Sequence, residues 1–325
     1  MKKTFKHIIA LLLVTVLTVG CFAGCGANGS KNLKIGIIQY MSHPSLDNCY
    51  AGVVEALKEL DTEYEIDRQI GSANAADSDC VNFAKNMVAA NYDMIIGIAT
   101  PAAKAAFAAT DNTDIPVIFC AVSDPVAAKL VKDMDEPGYN CTGTSDVLDL
   151  DAQVEMIRCF QPDVESIGIL YTSSEENSLT NLANLKKVCK PLGINVVEKA
   201  VQNASDVPAA AEDLASRVDC INNFTDNNVV NNLSVVLNAA DKYGIPVYGS
   251  EEEQLKSGCL ASVSIDYVAL GKTTGGMAVS VLNGSSAEKM AVKTIKEANA
   301  VYNPDVLEKL GMTLPDSLAD AAQIK

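Results

Sequence analysis

Short apolar runs alternate with amphipathic stretches over most of this chain, and no other feature narrows its fold as much. Residues 33–40 read as a strand, after which Leu46, Cys49, Val53, Leu57 and Leu60 recur at helical spacing. Residues 64–70, 93–99 and 116–122 read as further strands. The helices between them are marked by Cys80, Phe83, Met87 and Ala90, and by Pro101, which suits a first helical turn. The pattern restarts after a helix through Val154, Ile157 and Phe160 that ends near Pro162. Strands at 166–171, 195–201, 219–224 and 246–249 now alternate with helices through Leu179 and Leu182, through Val207 and Ala211, and through Leu233 and Val236. A strand at 260–265, a helix over 267–282, a short apolar segment from Met290 and a helix near 305–310 complete the chain. Such alternation implies an α/β class with parallel sheets and helices on both faces. Two series imply two similar lobes, and about 300 residues beyond the N-terminal segment exceed the usual size of one core.

That N-terminal segment has its own signature. Lys2, Lys3 and Lys6 precede an apolar run over 8–19, too short for a spanning helix of roughly 20 residues. A charged start, a short apolar core and small residues before a cut describe a secretory signal over 1–24. Ala23-Gly24-Cys25 resembles a bacterial lipobox, which makes Cys25 the lipidated residue; Gly20-Cys21 is the alternative. Residues 25–32 then read as a tether, and the protein as exported and lipid-anchored on the outer face of the cell membrane. The formal net charge is −16, and −19 without the three signal lysines. Such a surface repels phosphate backbones, which excludes nucleic acid as a partner. The acidic run Glu251, Glu252 and Glu253 reads as the solvated first turn of a helix. The eight cysteines beyond Cys25 are scattered with no C-x-x-C pair, so they read as reduced core residues.

In open parallel sheets ligands collect at the carboxyl ends of the strands. In the first series the loops there run over 39–43, Thr100-Pro101-Ala102 and Ser123-Asp124-Pro125. In the second they run over 172–178 (with Glu175, Glu176, Asn177 and Ser178), Thr225-Asp226-Asn227 and Ser250-Glu251. Most precede a helix, whose unpaired N–H groups bind an anion such as a carboxylate. Each Ser, Thr, Asp or Asn also reads as an ordinary N-cap. Asp226 follows a strand directly with no nearby cation, which singles it out for a ligand ammonium; Glu175 and Glu176 come next. Tyr40, Tyr171 and Phe224 suit either an apolar pocket wall or the core.

Catalysis has little support. His43 is the only histidine beyond the signal, which removes most His-based triads, and no cluster has zinc spacing. No phosphate-binding glycine loop is present, so neither metal nor cofactor is expected. Gly275-Gly276 lies within a helix and reads as a packing contact.

Taken together, several segments make the chain resemble the ABC-transporter substrate-binding proteins of the TrpX-like family. They are residues 35–39 with His43, Pro44 and Asp47; 98–103; 115–119 running into Ser123, Asp124 and Pro125; Thr142 and Gly143 with Ser145 and Asp146; 167–171 with Glu176, Asn177 and Ser178; Thr225, Asp226 and Asn227; and 265–267 with Leu270 and Gly271. The family more often has Thr where Ser123 stands, and residues 222–224 are more polar than its pattern. The resemblance implies a two-lobed type I periplasmic-binding fold with hinge crossings near Ser145, Asp266 and Asn299. Lobe 1 would then comprise 33–145 and 267–298, and lobe 2 would comprise 146–266 and 299–325. It also implies an amino-acid ligand, aromatic as in tryptophan, tyrosine or phenylalanine, and permease and ATPase partners. On this reading Thr100, Ala102 and Ser123 hold the carboxylate, Asp226 with Glu176 holds the ammonium, and Tyr40, Asp124, Asn177, Ser178 and Asp266 complete the site. Another small solute, a sensor role and an enzyme are the rival readings.

Overall fold

The computed structural model describes residues 32–72, 76–295 and 299–324. The signal over 1–24, Cys25 and its alternative Cys21, and the tether up to residue 31 lie outside the described residues. Among those described, no helix is long and apolar enough to cross a membrane.

The first half opens with β1 (Leu33–Gln39), α1 (Pro44–Leu57), β2 (Tyr64–Ile70), α2 (Ala76–Ala89) and β3 (Met94–Ile98). It continues through α3 (Thr100–Ala109), β4 (Val117–Cys120) and β5 (Cys141–Ser145). The second half carries α4 (Leu150–Phe160), β6 (Ser166–Thr172), α5 (Glu176–Leu192), β7 (Asn195–Val201), α6 (Val207–Ala215) and β8 (Cys220–Asn222). It goes on through α7 (Asn227–Asn231), α8 (Leu233–Tyr243), β9 (Val247–Tyr248), α9 (Glu252–Lys256) and β10 (Ala261–Ser264). Then come α10 (Tyr267–Leu282), β11 (Lys293–Thr294), β12 (Asn299–Tyr302), α11 (Pro304–Lys309) and β13 (Ala322–Gln323).

One sheet has the order β11-β5-β4-β3-β1-β2, with every neighbour parallel. The other has the parallel order β7-β6-β8-β9. It is extended towards β10, where Leu260 N donates to Val247 O at 2.7 Å and Gly249 N donates to Ala261 O at 2.9 Å. β12 then pairs antiparallel with β10. Among the described residues the chain passes between the halves three times: after β5, around β10 and α10, and between β11 and β12. Strands such as β3 and β4 are buried at every position, as expected where helices cover both faces.

The strand over 141–145 has no apolar alternation to reveal it. β5 is buried throughout, and its polar side chains are matched internally. Thr142 Oγ1 donates to Met290 O at 2.6 Å, and Thr144 and Thr274 share a hydrogen bond of 2.7 Å. The polar strand expected over 219–224 is shorter, Cys220–Asn222, and buried Asn222 Oδ1 accepts from Gln153 Nε2 at 2.8 Å. All eight cysteines in the described residues are unpaired, and seven are buried.

α10 returns to the first half and packs backbone to backbone on α1. A Cβ on Gly52 would lie 2.2 Å from Val268 O, and one on Gly271 would lie 2.2 Å from Cys49 O. Gly275 is a packing contact too, since its Cβ would meet that of Ala56 at 2.6 Å, whereas Gly276 faces open space. Gly52→Ala must separate two helices and is expected to lower Tm by several degrees, for about 1–3 kcal/mol of overpacking. Gly276→Ala is expected to leave Tm unchanged or raise it slightly. Thermal unfolding of both variants checks the pair of outcomes.

Candidate functional site

The strand-end loops of the two sheets face each other across a cavity of about 350 Å³, its open edges included. The first half contributes His43, Ser45 and Leu46 after β1, Ala99 and Thr100 after β3, Ala121 and Ser123 after β4, and Asp146 after β5. The second half contributes Asn177 after β6, Thr225, Asn227 and Val230 after β8, and Glu251 and Gln254 after β9; Tyr267 opens α10. Two strand ends are bent sharply. Ala99 has φ 76° and Ala121 φ 57°, left-handed values that cost a non-glycine residue about 1–3 kcal/mol. Both residues line the cavity, so the strain is spent where it aims Thr100 and Ser123.

Of the residues expected at the site, Thr100, Ser123 and Asn177 line this cavity. The others do not. Ala102 is fully buried under β3, where its backbone lies against Gly97. Tyr40 is buried and its hydroxyl engages Asp77; burial pushes its pKa up, helped by the charge of Glu175. Asp124 caps a turn, accepting from Ala127 N at 2.9 Å. Asp266 caps α10 through Val268 N and Ala269 N at 2.9 and 3.0 Å.

Asp226 is the main departure from expectation. It is fully buried and already accepts four hydrogen bonds: from Thr172 N at 2.6 Å, Thr172 Oγ1 at 2.8 Å, Ser178 Oγ at 2.7 Å and Val229 N at 2.9 Å. That set makes it the N-cap of α7 and a tie to β6, with Ser178 as one of its partners. Glu175 beside it accepts from Asn227 N at 3.0 Å, Asn227 Nδ2 at 2.6 Å and Asn228 N at 3.1 Å. Burial, and then the charge of Asp226, push Glu175 up to about 8, and burial raises Asp226 as well. These two acids form the scaffold behind the cavity wall. Glu176 instead pairs with Lys104 across the halves, with both side chains partly exposed. Exposed pairs contribute at most about 1 kcal/mol, so Glu176→Gln is expected to change ligand affinity less than about 5-fold, as measured by calorimetry.

Several cavity residues lie outside the set singled out from the sequence for ligand contact. Asp146 is 4% exposed and accepts from Ser123 Oγ at 3.0 Å and Tyr267 Oη at 2.7 Å. Burial raises its pKa, and those two hydrogen bonds oppose the rise. Glu251 is 1% exposed rather than solvated. It caps α9 through Glu253 N at 2.7 Å and Gln254 N at 3.0 Å, and Ser45 of the opposite half hydrogen-bonds to it. Burial pushes Glu251 up to about 7. His43 is held neutral by burial, with its pKa lowered to about 4, and its Nε2 lies 3.3 Å from Asn227 Oδ1. The cavity lining thus holds two carboxylates and no Lys or Arg. Among the described residues no group of three or more His, Cys, Asp or Glu could hold a metal.

Comparison with known proteins places this geometry. Residues 34–325 match the family model described as ABC transporter substrate binding protein. A tyrosine-binding protein of Clostridioides difficile strain R20291 is 35% identical, over 94% of this chain and 93% of that protein. The structure of an ABC domain in complex with L-Trp from Streptococcus pneumonia is 36% identical, covers 91% of this chain and 100% of that one, and superposes with a TM-score of 0.86. The ligand-free, open structure of a substrate binding protein with adhesive properties from Clostridium difficile is also 36% identical. It covers 90% of this chain and 99% of that one, with a TM-score of 0.68. At equal identity the present arrangement therefore lies nearer the complex than the open form. With its two lobes of parallel sheet and flanking helices and its family match over nearly the whole chain, the protein belongs to the ABC transporter substrate-binding proteins of type I periplasmic-binding fold.

Proposed function

We propose that this protein is the extracytoplasmic capture subunit of an ABC importer and that it binds an aromatic amino acid, without turning it over, between its lobes. The carrying observation is the pair of buried carboxylates, Asp146 and Glu251, in a lining without a basic side chain. Buried charges need partners, and a ligand ammonium is one of the right size and sign. The ligand carboxylate is met by Thr100 through its hydroxyl and its N–H, the first of α3, which the helix itself leaves unclaimed. Leu46, Val230 and the Tyr267 ring offer apolar surface for the side chain. The ligands named for the two relatives above, tyrosine and L-Trp, support the aromatic class.

On this reading Asp226 and Ser178 brace the wall, and Glu176 closes the mouth with Lys104. Lobe 1 comprises 33–145 and 267–298, and lobe 2 comprises 146–266 and 299–325. The chain is exported and tethered to the membrane by lipid on Cys25, or on Cys21, which the lipobox-like run supports. It delivers its ligand to permease and ATPase subunits, the partners that its family implies. Calorimetric titration of the signal-free protein against the common amino acids tests the proposal. Saturable one-to-one binding of an aromatic amino acid is the expected result, and binding of no amino acid overturns it.

A further inference from the structure

The cavity has two different ends. The first sheet runs β5-β4-β3-β1, so the strand ends that carry Asp146 and His43 stand three strand spacings apart, about 14 Å. The second sheet mirrors this, with β6 and β8 supplying Asn177, Thr225 and Asn227, and β9 supplying Glu251. Asp146 thus stands at one end, and Glu251 reaches in from β9 as far as Ser45. The other end is built from neutral polar groups contributed by both halves.

At the neutral end three buried polar atoms have no hydrogen-bond partner among the described residues: His43 Nδ1, Asn177 Oδ1 and Thr225 Oγ1. His43 is 7% exposed and Asn177 5%, and both line the cavity. Their hydrogen-bonding sense follows from their neighbours. Asn227 Nδ2 donates to Glu175 Oε2 at 2.6 Å, which turns Asn227 Oδ1 towards His43 Nε2 at 3.3 Å. That nitrogen must carry the ring proton of the neutral imidazole, leaving Nδ1 as an acceptor. Asn177 Nδ2 is taken by Thr225 O at 3.3 Å and Glu175 Oε2 at 3.2 Å, leaving Oδ1 as a second acceptor. Nearly all buried polar groups in folded proteins are paired, so two unmet acceptors facing a cavity ask for a donor from the ligand.

Resting on the aromatic amino-acid reading, we infer that the ligand's side chain ends in a hydrogen-bond donor, a phenol O–H or an indole N–H, which His43 and Asn177 accept. The ammonium goes to the other end, because ionised acceptors bind it more strongly than neutral ones. A phenyl side chain reaches the same place and leaves both acceptors unpaired, so the site discriminates by rejection as well as by attraction. His43 and Asn177 belong to opposite halves, so this reading of the side chain is completed only when the lobes are closed.

The test is calorimetry on the signal-free protein with tyrosine, tryptophan, phenylalanine and O-methyltyrosine, repeated with His43→Leu and with His43→Gln, which keeps an acceptor. Tyrosine or tryptophan is expected to bind at least about 10-fold more tightly than phenylalanine. His43→Leu is expected to bring that ratio below about 3-fold by weakening the donor-bearing ligand alone, and His43→Gln to restore part of it. Tyrosine against O-methyltyrosine makes the same comparison with no variant needed. Phenylalanine binding as tightly as both tyrosine and tryptophan overturns this inference and leaves the aromatic reading standing, as does an equal loss for all ligands in a folded His43→Leu. Binding of none of the four removes both.

Discussion

Asp146→Asn is expected to weaken amino-acid binding by about 100-fold or more while leaving the protein folded. The carboxylate is almost wholly buried, and its two oxygens already hold Ser123 and Tyr267 in place. Asparagine can keep one of those contacts through its carbonyl oxygen, and the hydroxyls can turn to meet its amide, so the local geometry survives. What it cannot supply is charge. Removing one partner of a buried charge pair costs about 3–5 kcal/mol, because the remaining ion is left uncompensated in a low-dielectric site. That range corresponds to a loss of roughly 100-fold or more in Kd. Calorimetry on wild type and variant, with circular dichroism to establish folding, reads the outcome. An affinity within 3-fold of wild type would put the ammonium elsewhere. Asp226→Asn makes the contrasting case: its partners are internal, so its first effect falls on Tm.

Glu251→Gln is expected to do two opposite things. It weakens binding, for the reason just given, and it stabilises the ligand-free protein at alkaline pH. Burial holds Glu251 at about 7 in the folded chain, above its ordinary value of 4.5. A carboxyl whose pKa is raised by folding contributes its full stability below the unfolded value and loses it as pH climbs through the folded one. The ligand-free wild type is therefore expected to lose up to about 3 kcal/mol from this group between pH 4.5 and pH 8. Glutamine does not titrate, and its carbonyl oxygen can still cap α9. The variant's Tm should exceed that of wild type by several degrees at pH 8.5, and the two should converge near pH 4.5. Glu175 and Asp146, also raised by burial, add to the same slope in both proteins. Differential scanning fluorimetry across that range is sufficient; a gap between variant and wild type that does not depend on pH would dismiss the account.

Most of the framework was legible in the sequence because buried parallel strands are apolar throughout and surface helices keep a 3.6-residue period. The helix over 267–282 occupies the residues expected, as do the strands at 64–70 and 195–201. β5 stayed hidden because its inward residues are threonines whose partners, Thr274 and the Met290 carbonyl, lie well over a hundred residues further along. Asp146 was hidden with it, since a strand that is not recognised has no visible end. Glu251 failed for a different reason. An acidic triplet before a helix looks solvated, and nothing local shows that the first of the three is covered by Ser45 from the other half. Asp226 was misjudged in the opposite direction. It looked unpartnered because its donors, at Thr172 and Ser178, are 54 and 48 residues away. Sequence reading found most of the loops that line the cavity; which carboxylate in each loop is satisfied internally is a matter of long-range pairing.

Asp146 follows β5 of the first sheet, Glu251 follows β9 of the second, and both act on the same buried Tyr267. Closure therefore brings two anions into one dry compartment. Without cargo, the shut form must either take up a proton or bear their mutual repulsion, and either burden tilts the protein towards staying ajar. With a cationic centre between them the same two groups become an adhesive. The pair thus ties the closed arrangement to the presence of a cationic centre between the two carboxylates.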